Sequence, residues 1–240
     1  MNAMSPEMLT NLTLLGLAYL YIILTIVITG KIKDRLPKNL SRKFLHIMIG
    51  NFIWVIPFFT YITFPLNFPF FVASPFILLT FLVSPGTPIK SLTQRLSGLG
   101  DVTFGGHTYG LVFYAISYTI LAALFSDRPW IIAAGIIPLA YGDAAASIVG
   151  LKWGRHQFNL FAKKSIEGSL TMFAVCFLVL TASFGFFGYL YPLSVTSFII
   201  ASLGAAVVAT VSEALTPRGL DNIAVPLFSA CSFLILMGGI

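Results

Sequence analysis

The sequence contains very few charged residues. Only 9% of its 240 residues are Asp, Glu, Lys or Arg, and 58% are hydrophobic. An average soluble domain carries about 25% charged residues, and a soluble fold of this length cannot hide so much apolar surface. The composition therefore excludes an ordinary soluble domain and predicts an all-α integral membrane protein that forms one polytopic domain.

Cysteine is also scarce, and the chain lacks the pattern of a cleaved leader. Its two cysteines, Cys176 and Cys231, lie apart in apolar runs, so they predict neither a disulfide framework nor a cysteine metal site. The first 30 residues have no basic start and no clear cleavage site. We therefore expect a first membrane span there and not a removed signal peptide.

Long apolar runs predict about eight membrane-spanning helices. One crossing takes about 20 residues, and the charge-free runs 47–89 and 168–212 are each long enough for two. The first run is broken by prolines and the second at Gly188–Pro192. The predicted spans are 9–29, 44–61, 66–84, 108–125, 130–149, 168–188, 193–212 and 223–240.

Basic residues indicate how these spans are oriented. Thirteen of the fourteen Lys and Arg residues follow spans one, three, five and seven, and the exception is Arg128. The positive-inside rule places those connections in the cytoplasm and both termini outside, so the net charge of +6 reports topology and does not predict a nucleic-acid partner. Most acids lie at the same face, which favours an enzyme over a transporter with polar groups at the midplane.

The segment Tyr141–Leu170 gathers charges that the rest of the chain avoids. Asp143 lies late in the fifth apolar segment, and an acid at membrane depth usually faces a partner or a cavity. Helical spacing puts Ala146, Ser147 and Gly150 on the same face as Asp143. This small-residue face predicts either a binding site or close helix packing through Ala and Gly, and the sequence leaves both open.

The second half of this segment has the composition of a phosphate-binding turn. Lys163 and Lys164 precede Ser165, which can cap the sixth span, and N–H groups at a helix start favour an anion. Glu167 could hold a divalent cation that bridges phosphates. The alternative is a set of positive-inside lysines followed by an ordinary helix cap.

Two further clusters accompany this segment. Glu213 ends span seven, and Asp221 and Asn222 open span eight with two oxygen ligands of the kind that Mg²⁺ accepts. The alternative for the last pair is a turn with a helix cap. At the start of span two lie Arg42, Lys43 and His46, for which a basic headgroup anchor is the alternative.

A glycine-rich loop between spans three and four carries Asp101 and His107. It is not a P-loop because no Gly-Lys-Ser/Thr follows. We expect a structural role for this loop at least as much as a chemical one.

Taken together, four motifs resemble the polyprenol kinase family, which includes dolichol kinase, phytol kinase and a CTP-dependent diacylglycerol kinase. The first has the form D-x-x-A-x-x-x-G-x-x-x-G, and its residues are Asp143, Ala146, Gly150 and Gly154. The others are KSIEG, DNIAVP and RKFLH, so the resemblance runs from about Arg42 to Pro226. Ser165 stands where the family often has Thr, which keeps the hydroxyl.

The resemblance implies a CTP-dependent kinase that phosphorylates a membrane isoprenoid alcohol, of the dolichol, polyprenol or phytol type, to its monophosphate. It implies CTP, the lipid alcohol and the bilayer as partners, a divalent cation such as Mg²⁺, and an active site facing the cytoplasm. The implied nucleotide-binding residues are Ala146, Gly150, Gly154, Arg155, Lys163, Lys164, Ser165 and Gly168. The implied catalytic or metal-binding residues are Asp143, Glu167 and Asp221, with Asn222 as a further metal ligand. Other polar candidates are Arg42, Lys43, His46 and Glu213.

Two other functions stay open at this point. Phosphatidate cytidylyltransferases are similar to this family and make a CDP-lipid, but they end in a longer signature of which this chain has only the DN pair. The other alternative is a transporter or flippase of a small anion or a phospholipid.

Overall fold

The computed structural model divides the chain into two compact units, Met1–Pro129 and Trp130–Ile240. The residues that it describes are 4–32, 35, 38–84, 87, 109–161, 163–217 and 219–238. The predicted cytoplasmic residues Lys33, Asp34, Lys90, Arg95, Asp101, His107 and Arg218 lie outside these ranges. The single polytopic domain stays a prediction.

The described part of the first unit consists of five α-helices and two short 3₁₀ turns. The helices are α1 (Pro6–Ile32), α2 (Lys38–Gly50), α3 (Phe68–Ala73), α4 (Pro75–Val83) and α5 (Gly110–Phe125). The turns at Asn51–Trp54 and Ile56–Phe58 follow α2. The predicted span 44–61 is therefore not one α-helix, because the α-helix ends at Gly50. Pro57, in the second turn, has no N–H to donate to an α-helical hydrogen bond.

Helix α1 presents one buried face and one exposed apolar face. Its buried residues recur at helical spacing, and they are Asn11, Ala18, Ile22, Thr25 and Thr29. The hydroxyl of Tyr21 donates to the Met48 carbonyl at 2.6 Å, and that of Tyr19 donates to the Phe71 carbonyl at 2.7 Å. These bonds fix α1 against α2 and α3 of the same unit.

The second unit is a set of long helices with one small β-hairpin. Its elements are α6 (Pro129–Ile137), a π-helical segment (Pro138–Gly142), α7 (Asp143–Trp153), β1 (Gln157–Asn159), β2 (Lys163–Ser165), α8 (Ile166–Leu190), α9 (Val195–Leu215) and α10 (Asp221–Leu236). Helix α8 packs against α7 and α9, and α9 packs against α10. The antiparallel hairpin pairs Phe158 with Lys164. It is the feature that departs from the all-α expectation.

The π-helical segment positions Asp143. The backbone N–H of Asp143 donates to the Pro138 carbonyl, five residues earlier, instead of the usual four. Pro138 itself has no N–H, so the regular helical ladder is already interrupted there. The segment packs against α8 and α10, which brings the start of α7 into the interior of the second unit.

Four helical stretches are long and apolar enough to cross a membrane, judged by length and composition. They are Pro6–Ile32, Pro129–Trp153, Ile166–Leu190 and Val195–Leu215. Shorter apolar helices at Phe68–Val83, Gly110–Phe125 and Asp221–Leu236 accompany them. The predicted helical membrane class is confirmed, and the number of eight spans stays a prediction.

Candidate functional site

Three acids are buried in the second unit, each at or near the end of a helix. Asp143 begins α7, Glu213 lies in the last turn of α9, and Asp221 begins α10. Their exposed fractions are 3%, 4% and 6%. A carboxylate in such surroundings is costly unless its charge is compensated. The surroundings of these acids must therefore supply hydrogen bonds or opposite charges.

Glu213 is compensated by Lys164. The Lys164 Nζ atom forms an ion pair with Glu213 Oε1, and the two side chains are 20% and 6% exposed. Because successive strand residues point to opposite faces, Lys163 lies exposed on the other face of β2. The two lysines that the sequence assigned to one phosphate cradle thus occupy different environments, and only Lys164 pairs with a described acid.

Ser165 caps α8 as predicted. Its hydroxyl oxygen accepts a hydrogen bond from the backbone N–H of Gly168 at 3.1 Å, and its own backbone is extended. This satisfies one of the N–H groups that a helix start leaves without an intrahelical partner. The cap directly follows Lys164, so a cation and a helix N-terminus are adjacent in the chain.

The glycines of the first motif pack around Ser165. A Cβ added to Gly150 would lie 3.1 Å from the Ser165 Oγ atom, and one added to Gly154 would lie 2.7 Å from it and 2.3 Å from the Gly150 carbonyl oxygen. A Cβ on Gly168 would lie 3.2 Å from the Ala146 carbonyl oxygen. The close helix packing that the sequence left open is therefore present between α7 and α8. The nucleotide-binding role of these residues stays a prediction.

Glu167 forms hydrogen bonds with His156, the residue directly before β1 of the hairpin. Glu167 Oε1 lies 2.8 Å from His156 Nδ1, and the backbone N–H of His156 donates to both carboxylate oxygens at 3.2 and 3.3 Å. The sequence suggested Glu167 as a metal ligand, and its pairing with His156 was not predicted. No spacing signal could have revealed the pair, because a hairpin brings together residues eleven positions apart.

Asp221 organises the turn between α9 and α10. Its Oδ1 atom accepts from the backbone N–H groups of Gly219 and Asn222, at 3.1 and 3.0 Å, and from Asn222 Nδ2 at 3.2 Å. Gly219 has φ +94°, which explains a glycine at this position. Within the described ranges, Oδ2 of Asp221 receives no hydrogen bond or ion pair. The turn predicted as the alternative is present.

The acids of the second unit differ in the contacts that they already make. Across the described part of the chain, no three His, Cys, Asp or Glu side chains are grouped to hold a metal. Mg²⁺ commonly takes one or two carboxylates and completes its shell with phosphate oxygens and water. Glu167 pairs with His156, and Glu213 pairs with Lys164. The Asp221 carboxylate accepts hydrogen bonds within its own turn.

The remaining predicted site residues lie elsewhere. Arg155 is exposed at the start of the hairpin. In the first unit, α2 buries Arg42, Lys43 and His46, with exposed fractions of 8%, 4% and 0%. The Tyr114 hydroxyl of α5 donates to the His46 carbonyl at 3.1 Å, and the two rings lie 4.6 Å apart between centroids. The basic cluster is thus part of the core of the first unit, not a surface anchor.

Comparison with known proteins extends this description. No protein-family model matches the chain, and no solved structure matches it. A phytol kinase of Synechocystis sp. is 32% identical over 222 residues, which cover 90% of this chain and 88% of that protein. Phytol kinase 1, chloroplastic, of Arabidopsis thaliana is 29% identical over 94% of this chain and 75% of its own. CTP-dependent diacylglycerol kinase 1 of Schizosaccharomyces pombe is 29% identical over 53% of this chain and 60% of its own.

The apolar helices define a helical membrane protein, and its second unit buries three acids. The similarity to the Synechocystis phytol kinase extends over nearly the whole of both chains. The chain belongs to the polyprenol kinase family.

Proposed function

We propose that the protein is a CTP-dependent kinase that phosphorylates a membrane isoprenoid alcohol, of the phytol or the dolichol and polyprenol type, to its monophosphate. The observation that carries the proposal is the Lys164–Glu213 ion pair beside the capped start of α8. Phosphoryl transfer depends mainly on positioning and on charge neutralisation. A partly buried lysine next to a helix N-terminus supplies both for a phosphate group.

We assign binding of the CTP triphosphate to Lys164. Glu213 keeps the ammonium group in place before CTP binds, and a phosphate oxygen then shares or replaces that carboxylate as its partner. Lys163 and Arg155, exposed on the hairpin, would contact the triphosphate from its solvent side. The glycine packing around Ser165 fixes α7 and the start of α8 relative to each other.

The buried acids supply the remaining chemistry. Asp143 and Asp221, with Asn222, would hold Mg²⁺, and Glu167 is a further candidate that would first exchange its His156 partner. When bound, the cation neutralises charge on the phosphates. The alcohol oxygen attacks the γ-phosphorus, a new P–O bond forms, and the bond to the β–γ bridging oxygen breaks. CDP leaves, and the hydroxyl proton passes to a carboxylate, for which Asp143 is our candidate.

Product analysis tests this function. The purified protein is incubated with labelled CTP, Mg²⁺ and a panel of lipid alcohols, and the products are identified by mass. A kinase yields CDP and a lipid monophosphate, whereas a cytidylyltransferase yields pyrophosphate and a CDP-lipid. A transporter would move its substrate across vesicles without nucleotide turnover, and that result would refute the proposal.

The nucleotide donor is a separate part of the proposal. Support for CTP comes from the family resemblance and from the name of the S. pombe relative. We expect higher kcat/KM with CTP than with ATP at saturating Mg²⁺. Equal or faster phosphorylation with ATP would refute the assignment of CTP and leave the kinase intact.

The active site is proposed to face the cytoplasm, because thirteen of the fourteen Lys and Arg residues lie in the connections after predicted spans one, three, five and seven. Single cysteines at Lys163 and at Arg128, in a chain without Cys176 and Cys231, should react with a membrane-impermeant reagent from opposite sides. Reaction of both from the same side would overturn this topology.

A further inference from the structure

The hairpin of the second unit is too short to keep its shape alone. It has two strands of three residues each, and an isolated two-stranded hairpin is marginally stable at best in water. Its second strand carries Lys164, whose position beside Glu213 the proposed function requires. Contacts outside the two strands must therefore hold the hairpin in place.

The open end of the hairpin lies where its strands join the neighbouring helices. Gln157 pairs with Ser165 there, and the backbone N–H of Ile166 donates to the His156 carbonyl at 2.9 Å. In a regular antiparallel pair, the His156 N–H would donate back to the carbonyl of Ile166. Ile166 is the first residue of α8, and a carbonyl at that position accepts within the helix. The His156 N–H therefore needs another acceptor.

Glu167 provides this acceptor from the first turn of α8. The His156 N–H donates to both carboxylate oxygens, at 3.2 and 3.3 Å, and His156 Nδ1 lies 2.8 Å from Oε1. An ionised carboxylate only accepts, so Nδ1 carries the proton in this contact. The Glu167 side chain thus replaces the strand carbonyl and closes the open end of the hairpin.

The exposure of the two side chains indicates which contact matters more. The side chain of His156 is 75% exposed and that of Glu167 is 26% exposed. An exposed ion pair contributes little to stability, so the ring contact alone would hold the hairpin weakly. The bonds from the backbone N–H constrain the path of the chain into β1, and a hydrogen bond to a charged group is stronger than a neutral one.

From this geometry we infer that Glu167 and His156 are positioning residues, which close the open end of the hairpin and thereby hold Lys164 at the nucleotide site. The inference rests on the proposed function and deepens it, because it assigns Glu167 to the hairpin and not to Mg²⁺. Lys164 lies in the strand that pairs with β1. Loosening β1 therefore frees the backbone that carries this lysine, and the affinity for CTP falls.

Amide hydrogen exchange tests the closure without any need for turnover. The full chain is reconstituted in phosphatidylcholine nanodiscs, and exchange in peptides that cover residues 156–165 is followed by mass. We expect exchange to be roughly tenfold faster in Glu167→Ala than in the wild type, because the acceptor of the His156 N–H is lost. Glu167→Gln keeps an accepting oxygen and should restore most of the protection. Unchanged exchange in Glu167→Ala would overturn the inference.

The KM for CTP gives the kinetic counterpart. Glu167→Ala should raise it by roughly tenfold, with the KM for the alcohol unchanged, and Glu167→Gln should recover most of the loss. His156→Ala removes only the ring contact and should raise the KM for CTP by about twofold. Gln157→Ala changes an exposed residue of β1 and is the matched control. Should Glu167→Ala not fold, His156→Ala takes its place, and exchange as slow as in Gln157→Ala contradicts the inference.

A titration with Mg²⁺ separates this role from metal binding. If Glu167 were a ligand of the cation, Glu167→Gln would raise the Mg²⁺ concentration at half-maximal turnover, and His156→Ala would lower it by releasing the carboxylate. We expect this concentration to stay at the wild-type value in both variants. A higher Mg²⁺ requirement in Glu167→Gln, with the hairpin amides still protected, would make Glu167 a metal ligand and overturn the inference.

These experiments separate two kinds of failure. Faster exchange in Glu167→Ala of a protein that phosphorylates nothing would refute the proposed kinase and keep the closure of the hairpin. An active kinase in which Glu167→Ala changes neither the exchange nor the KM for CTP would do the reverse.

Discussion

The two units bury charges of opposite sign. Among the described residues, the charged side chains buried in the first unit are the bases Arg42 and Lys43, accompanied by His46. Those buried in the second unit are the acids Asp143, Glu213 and Asp221. Withdrawing an ion from water costs several kcal/mol even after relaxation, so such charges need partners of the kind that Lys164 provides for Glu213.

The buried acids of the second unit are the basis of the proposed chemistry, because carboxylates at helix ends suit Mg²⁺ and proton transfer. Changes in the second unit should therefore alter nucleotide use and turnover. The following variants test this expectation, each with a control of the same residue type.

The largest effect is expected for Asp143→Asn. Loss of general-base help typically lowers turnover by about 10²–10⁴-fold, and loss of a metal ligand could match that. Stability should be normal or higher, because an acid at membrane depth is costly and the amide keeps its size. Turnover at several Mg²⁺ concentrations and thermal unfolding in detergent measure both effects.

The control for this variant is Asp127→Asn. Asp127 is an exposed acid outside the second unit that pairs with Arg128 at 3.4 Å, and its loss should be nearly neutral. Wild-type turnover in Asp143→Asn would remove Asp143 from the site. It would also erase the distinction drawn here between the two units.

Lys164→Ala should have the next largest effect. A hydrogen bond to a charged group is worth about 1.5–3 kcal/mol, so kcat/KM for the nucleotide should fall at least tenfold, through a raised KM and a lowered kcat. The KM for the lipid should hardly change. Lys163→Ala, on the exposed face of the same strand, is the matched control and should be milder.

A double variant separates the two roles of Lys164. Removing the lysine alone leaves the Glu213 carboxylate buried without its cation, which lowers the melting temperature. Lys164→Ala combined with Glu213→Gln should recover much of that stability but none of the nucleotide affinity. If only the lipid KM changes in Lys164→Ala, the lysine is a headgroup anchor.

The helical part of this fold could be predicted from the sequence because apolar runs define membrane helices directly. The cap at Ser165 and the turn at Asp221 were also predictable, since both are local patterns of a few residues. Pro138 gave a local signal for the interrupted helix before Asp143. These features depend only on neighbours in the chain.

The partners of the charged residues could not be predicted in this way. Lys164 meets Glu213 across 49 positions, and His156 meets Glu167 through a hairpin that carries no strong turn signal. Strand alternation also turns the neighbouring side chains of Lys163 and Lys164 to opposite faces of β2. Such pairs form only when distant segments come together in the fold, so composition and residue spacing do not predict them.

A smaller effect, on stability first, is expected for Gly154→Ala. The new methyl would meet the Ser165 side chain and the Gly150 carbonyl, and overpacking of this kind costs about 1–3 kcal/mol. Gly185→Ala is the control, since a Cβ there meets nothing within 4 Å and a helix interior gains about 0.5–1 kcal/mol from this change. Equal melting temperatures for the two variants would show that α7 and α8 do not need the close approach at Gly154.

The smallest effect is expected for Ser165→Ala, which tests whether the cap has a function beyond holding α8. Loss of an N-cap costs about 0.5–2 kcal/mol, and no methyl is added against the neighbouring glycines. Ser194→Ala at the start of α9 is the control, because its cap bond from Ser197 N–H is longer, at 3.4 Å, and exposed. We expect a lower melting temperature for Ser165→Ala than for Ser194→Ala, and a raised KM for CTP only in the former. A drop in stability with an unchanged KM for CTP would restrict Ser165 to capping and leave phosphate binding to Lys164.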